Sequence, residues 1–205
     1  GRARREGATS AVARERVIDL AEAKIGLAAA VAKWPARHVW STYESPQDRA
    51  EVARLTLGEE TEASINLILD RCAREPSYAE SRVQSLPDQL GSLIVLVPAA
   101  AERLGQRLAM QKEANHLTYI LAQGLAVSGT KHGQAALRAA LARRLSDKEA
   151  AYVIIDRLAQ ARSPTELTID FLRDLADTKQ DNDIREAAQL SFGTLVGRLK
   201  SKQPR

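Results

Sequence analysis

Three histidines, one cysteine and two pairs of neighbouring carboxylates are the residues of this 205-residue chain that chemistry would most readily use. His38, His116 and His132 stand far apart, and none has the i, i+4 partner that a zinc site on a helix requires. His132 falls in the turn "SGTKHGQ", where the N-terminus of a following helix could hold an anion; a solvated or capping role is the plainer reading. Cys72 follows Leu69 at helical spacing in "INLILDRCAR", with no histidine near it in sequence. It reads as a small buried hydrophobe and not as a nucleophile. Acid and base work needs two carboxylates in a cleft with separated pKa values. Glu59-Glu60 and Asp181 with Asp183 offer only adjacency, which the positive ends of helices explain. With no nucleophile elbow, P-loop or dinucleotide fingerprint, we expect no enzyme, no cofactor and no metal.

One pattern could still carry chemistry. In "DIREAAQLSFGTLVGRL", Gly193 and Gly197 stand four apart inside a helical sequence. A phosphate loop would place its glycines in a turn before a helix, with a lysine and a hydroxyl after them; neither condition holds. Ile184, Ala187, Ala188, Ser191, Phe192, Leu195, Val196 and Leu199 form an apolar stripe at helical period. Arg185, Glu186, Gln189 and Arg198 lie off it, toward water. Phe192, Gly193 and Gly197 are therefore expected to pack, with the two glycines at the stripe's border admitting a second helix closely.

The elements that would position these residues are helices. Alanine and leucine dominate and aromatics make up only 4%, a mix that loses little on entering a helix. No span shows the sustained alternation of a half-buried strand. Ser146-Asp-Lys-Glu149, Ser163-Pro-Thr-Glu166 and Asp183-Ile-Arg-Glu186 each place a capping oxygen three residues before a glutamate, the capping-box spacing. Pro164 would occupy a first helical position. Ser45-Pro-Gln-Asp48 makes a related start, and Gly58 a stop. Helices are expected near 9–33, 46–57, 60–73, 88–97, 99–127 with a break, 131–144, 147–161, 164–177 and 183–199; residues 77–87 are left unassigned. Thr130 to Ser163 spans 33 residues and Ser146 to Asp183 spans 37, about one helical hairpin, which predicts stacked antiparallel hairpins in an all-α solenoid or superhelical array. The expected organisation is a basic tail over 1–8, one helical array over 9–199 with a subdivision near 75–88 left open, and a polar tail over 200–205.

Composition limits the partners. The formal charge is +4, with an acidic middle between basic ends, which argues against nucleic acid because that partner would need basic residues concentrated on one face. No run approaches the roughly 18 apolar residues of a membrane span. The chain opens on Gly1 without an initiator methionine, so we expect a piece of a longer protein whose localisation cannot be read here. Trp34, Trp40 and Tyr43 cluster with Arg37 and His38; such aromatics anchor a partner or fill a corner between helices. Trp40, Arg138, Arg157 and Arg185 are the candidate interaction residues, on the concave face that one helix of each hairpin would form.

"DNDIREAAQLSFGTLVGRL" resembles the second helix of a HEAT repeat, with Asp183, Arg185 and Ala188 at that repeat's aspartate, arginine and small core residue. From Ile120 to Leu199, the order Gly129-Thr130, helix, Ser146-x-x-Glu149, Pro164-Thr165 and "LSFGTLV" resembles the helical domain of large lipid transfer proteins, the vitellogenin class. The resemblance implies a two-layered helical superhelix that braces the rest of its molecule. The expected function is a non-catalytic scaffold binding a protein partner or the remainder of its parent chain. A lipid-binding or lipid-transfer module is the first alternative, and a nucleic-acid-binding helical array the second.

Overall fold

The computed structural model describes residues 15–26, 60–177 and 181–201, and within these all regular structure is helical. The chain divides into two compact units, Gly1–Ala79 and Glu80–Arg205. In the first, helix α1 (residues 15–26) buries Ile18, Ala21 and Ile25, and α2 (Glu60–Arg74) buries Ile65, Ile68, Leu69 and Cys72. Both sets recur at three- and four-residue intervals, one stripe per helix. Arg71 of α2 donates to Glu15 at 2.9 Å and to Glu75 at 3.0 Å, and lies 4.2 Å from the centre of the Tyr78 ring. Hydrogen bonds from the guanidinium to Glu15 and Glu75 hold it well above the ordinary arginine range. The Tyr78 hydroxyl donates to Glu22 on α1. Residues 77–87, unassigned from sequence, contain most of a short helix, α3 (Pro76–Arg82), and the start of the next.

Seven helices follow: α4 (Leu86–Leu96), α5 (Ala99–Ala109), α6 (His116–Val127), α7 (Lys131–Arg144), α8 (Lys148–Ala159), α9 (Glu166–Asp177) and α10 (Asn182–Ser201). Short connections make consecutive helices antiparallel neighbours. Alternate helices also pack: α4 on α6, α6 on α8 and α8 on α10 form one layer, and α5 on α7 and α7 on α9 form the other. This is the stack of hairpins that the sequence predicts. Helix α6 has neighbours in both layers, which explains why it is apolar nearly all round; Leu117, Ile120, Leu121 and Leu125 are fully buried.

The helix starts differ in detail from the sequence reading. Asp147, not Ser146, caps α8, accepting from the Ala150 N–H. An ionised carboxylate suits the positive helix end better than a hydroxyl, and Arg144 holds it there. Thr165, not Ser163, caps α9 through the Thr168 N–H, so Pro164 lies before the helix; Gln134 pins the backbone of both Ser163 and Thr165 outside it. At α10 the cap is Asp181, which accepts from the Asp183 N–H at 3.0 Å. The one full capping box among the described residues is Asn115 with Thr118, a pairing without the glutamate sought in the sequence. Gly129 ends α6 at φ +65°, a backbone shape that favours glycine.

Close approach through glycine occurs, but not at Gly193 or Gly197. A Cβ at either would meet nothing within 4 Å, and both are exposed beside Leu190, itself 76% exposed. The neighbours of α10 are α8 and α9, which cover the stripe and leave its border open; Phe192 is half-buried. The packing expectation for the two glycines is thus corrected. The tight contacts lie deeper in the stack. A Cβ on Gly124 of α6 would come within 2.9 Å of Leu90 on α4, one on Gly105 of α5 within 2.8 Å of Ala136 on α7, and one on Gly133 of α7 within 2.4 Å of the Leu125 carbonyl oxygen.

Candidate interaction surface

Where Gly105 meets Ala136, the backbones of α5 and α7 approach closely and small side chains cannot fill the surface above the crossing. A groove of about 560 Å³ results. Alanines, among them Ala99, Ala135 and Ala139, supply much of its wall, while Glu102, His132 and Arg143 supply charge or hydrogen-bonding capacity. His132, read from sequence as a turn residue, stands exposed at the second position of α7, and His116 is exposed at the first position of α6. Neither joins a cluster: among the described residues no three histidine, cysteine, aspartate or glutamate side chains gather as they would around a metal.

The hairpins are joined by polar side chains that bridge neighbouring connections. Gln134 of α7 is fully buried; its Nε2 donates to the Ser163 carbonyl at 2.7 Å, and its Oε1 accepts from the Thr165 N–H at 2.9 Å and the Thr168 hydroxyl at 2.8 Å. Arg144, 5% exposed, donates to the carbonyls of Leu108 and Gln111 and to Asp147. Arg198 of α10, placed toward water by the sequence reading, donates to the carbonyls of Ala159 and Ala161. These carbonyls lie in the last turn of α5 or α8 or just beyond it, where helix ends leave acceptors unpaired and cations are electrostatically favoured. The sequence signal for Gln134 and Arg144 is a polar residue on a buried stripe, since Gln134, Leu137, Leu141 and Arg144 share one face of α7 and all are buried.

The proposed interaction residues fare differently. Trp40 lies outside the described residues, as do Trp34, Arg37, His38, Tyr43 and the expected helix over 46–57 with its stop at Gly58. Arg157 of α8 is only 15% exposed and is engaged within the fold: it donates to Gln123 at 2.7 Å, pairs with Asp156 and lies 5.1 Å from the centre of the Tyr119 ring. Arg185 is half-buried, and among the described residues its guanidinium makes no hydrogen bond or ion pair. Arg138 of α7 is half-buried too; its one hydrogen bond runs from Nη1 to the Thr168 hydroxyl at 2.6 Å. Burial pushes its guanidinium below the ordinary arginine range. The structure does not bring these arginines together.

The carboxylates Asp181 and Asp183 are joined by a cation. Lys148 Nζ lies 2.9 Å from Asp181 and 2.7 Å from Asp183, tying the start of α8 to the start of α10. The bond from Lys148, aided by the Asp183 N–H, holds the Asp181 carboxyl below the usual range, while Asp183 and then Asp181 hold the lysine above its own. A depressed carboxylate contributes stability above its unfolded pKa, about 4, and loses it as pH falls through the folded value; a raised lysine contributes below about 10.4 and loses it above. The clamp is therefore closed across the neutral range and opens in acid. Lys148→Met is expected to raise the titration midpoint of Asp181, followed by carboxyl-carbon NMR, toward the ordinary value. An unmoved midpoint would assign the depression to the backbone N–H alone.

The two alternating layers define a helical-repeat protein. Successive helix starts within a layer are 30 to 35 residues apart, near the 34 of a tetratricopeptide hairpin and short of the roughly 40–47 of HEAT repeats. The family model described as the Vitellogenin TPR domain matches residues 61–205, well over half the chain. The chain belongs to the vitellogenin TPR domain family. No curated protein and no solved structure matches it. Among the described residues no helix is long and apolar enough to cross a membrane.

Proposed function

We propose that the chain is a non-catalytic helical scaffold that holds a protein partner or the remainder of a longer parent chain. The α5–α7 groove carries the reading: it is a preformed depression with small side chains along its wall and a polar rim of Glu102, Gln106, His132 and Arg143. Such a surface accepts a helix or an extended segment at little conformational cost. The apolar stripes of α6 and α8 are satisfied by one another, with Ile120, Leu121, Ile154 and Ile155 fully buried, so binding need not complete the fold. Ala135 and Ala139 are the residues on which a partner would rest.

A lipid-binding module is the second reading, favoured by the family's name. Native mass spectrometry of the purified chain separates the two. The scaffold predicts the mass of the polypeptide alone, whereas retained acyl lipid would reverse the order of the readings. Within the scaffold reading, a photo-crosslinker at Ala139 in the parent protein should join one defined segment, and labelling no stronger than at exposed Glu149 would remove the groove from consideration.

A further inference from the structure

We propose that the outer face of α10 is a self-association surface, on which a second copy of this chain lays its own α10 antiparallel. The buried side of α10, with Ile184, Ala188 and Leu195, packs on α8 and α9. The opposite side carries Glu186, Leu190, Gly193, Gly197 and Lys200, at offsets 0, 4, 7, 11 and 14, one stripe of helical period. All five are exposed. Leu190, at 76%, is the most exposed large apolar side chain among the described residues. Beside it Gly193 and Gly197 leave a hollow in which a Cβ would meet nothing within 4 Å. Glu186 and Lys200, toward opposite ends of the stripe, make no hydrogen bond or ion pair among the described residues.

A knob, a hollow and two unpaired opposite charges on one face fit one another only between copies. A twofold contact requires a patch complementary to itself. With the twofold axis at Gly193, an antiparallel neighbour sets its Lys200 opposite Glu186, its Glu186 opposite Lys200, and its two glycines opposite Leu190. Each leucine then enters the hollow of the other copy, and glycine at the axis lets the backbones approach. Parallel pairing would set Glu186 beside Glu186 and Lys200 beside Lys200, so the charges also choose the direction. The 20 residues of α10 make a strip about 30 Å long and about 10 Å wide. Such a strip is smaller than the roughly 800 Å² per partner of a stable interface, so the dimer is weak and forms only at high concentration. None of the five residues lines the α5–α7 groove.

Sedimentation equilibrium of the whole chain at low salt, from about 10 µM to about 1 mM, covers the range of such weak contacts. The mass should rise from one copy toward two. Glu186→Lys sets like charges against Lys200, and Lys200→Glu sets them against Glu186, so each variant alone should stay at the mass of one copy. Mixed in equal amounts, the two should pair again, because each then offers the charge that the other lacks. Both side chains are exposed and unpaired, so neither change should disturb the fold, which far-ultraviolet circular dichroism checks. If either variant fails to fold, Leu190→Asp decides alone: it must hold the chain at one copy throughout. A parent that stays at one copy up to about 1 mM would overturn the proposal and leave this face to another occupant, such as a helix of a longer chain. Single variants that associate as the parent does, or a mixture that associates no more than its components, would overturn it as well, by placing the contact on another face.

Discussion

Replacing Gln134 with leucine is expected to destabilise the second unit by roughly 2–4 kcal/mol, lowering its thermal midpoint by about 10 °C. The substitution fits the volume and the stripe of α7, so hydrophobic burial does not account for the loss. The loss comes from what Gln134 leaves behind. One side chain satisfies the Ser163 carbonyl, the Thr165 N–H and the Thr168 hydroxyl; leucine leaves the first two, both in part-buried bonds, without that partner and removes one of three partners from the buried hydroxyl. An unpaired buried polar group costs more than a made hydrogen bond contributes. Gln134→Glu tests the direction of the bonds: it keeps an acceptor for Thr165 but sets an oxygen against the Ser163 carbonyl, and should also destabilise. Equilibrium denaturation measures both. A change within about 0.5 kcal/mol for leucine would mean that the connection between α8 and α9 relaxes freely into solvent.

The same substitution should have opposite signs at two glycines. Gly133→Ala places a Cβ 2.4 Å from the Leu125 carbonyl oxygen and equally near the Ser128 hydroxyl oxygen. The first is backbone and cannot rotate aside, so α6 and α7 must separate, at a cost of about 1–3 kcal/mol or somewhat more. Gly193→Ala meets nothing within 4 Å and sits in the interior of a helix without positive φ. There the methyl group restricts the unfolded chain and should stabilise by about 0.5–1 kcal/mol. Chemical denaturation of the two variants beside the parent checks both signs. Destabilisation by Gly193→Ala would show that the outer face of α10 is covered in solution.

Legibility in the sequence followed the range of the interaction. Apolar periodicity is local, so the helices of the second unit and the stripe of α10 could be read directly; Ile184, Ala188 and Leu195 are buried as the stripe requires. Hairpin period needs only the spacing of helix starts along the chain, and it predicted the alternating layers. Caps were legible only to within two residues. Ser146 and Asp147, or Ser163 and Thr165, compete for the same helix end, and the winner is set by Arg144 or Gln134 arriving from another helix. The groove was not legible, because alanines in sequence do not tell which of them line a crossing.

The glycines mark the division most clearly. The sequence by itself determined an all-helical chain of stacked hairpins, because apolar period and composition act within a turn or two of helix and the helix starts recur at one hairpin's length. It also placed Gly193 and Gly197 at the edge of a buried stripe. Only the tertiary structure decided that this edge faces outward while Gly105, Gly124 and Gly133 meet neighbouring helices within 3 Å of where a Cβ would stand. It likewise decided that Arg157 is enclosed and that Arg138 rests half-buried on the Thr168 hydroxyl. Whether a border residue is covered, or a cation paired, depends on which helix lies across it, and that is set by contacts between residues some 30 positions apart.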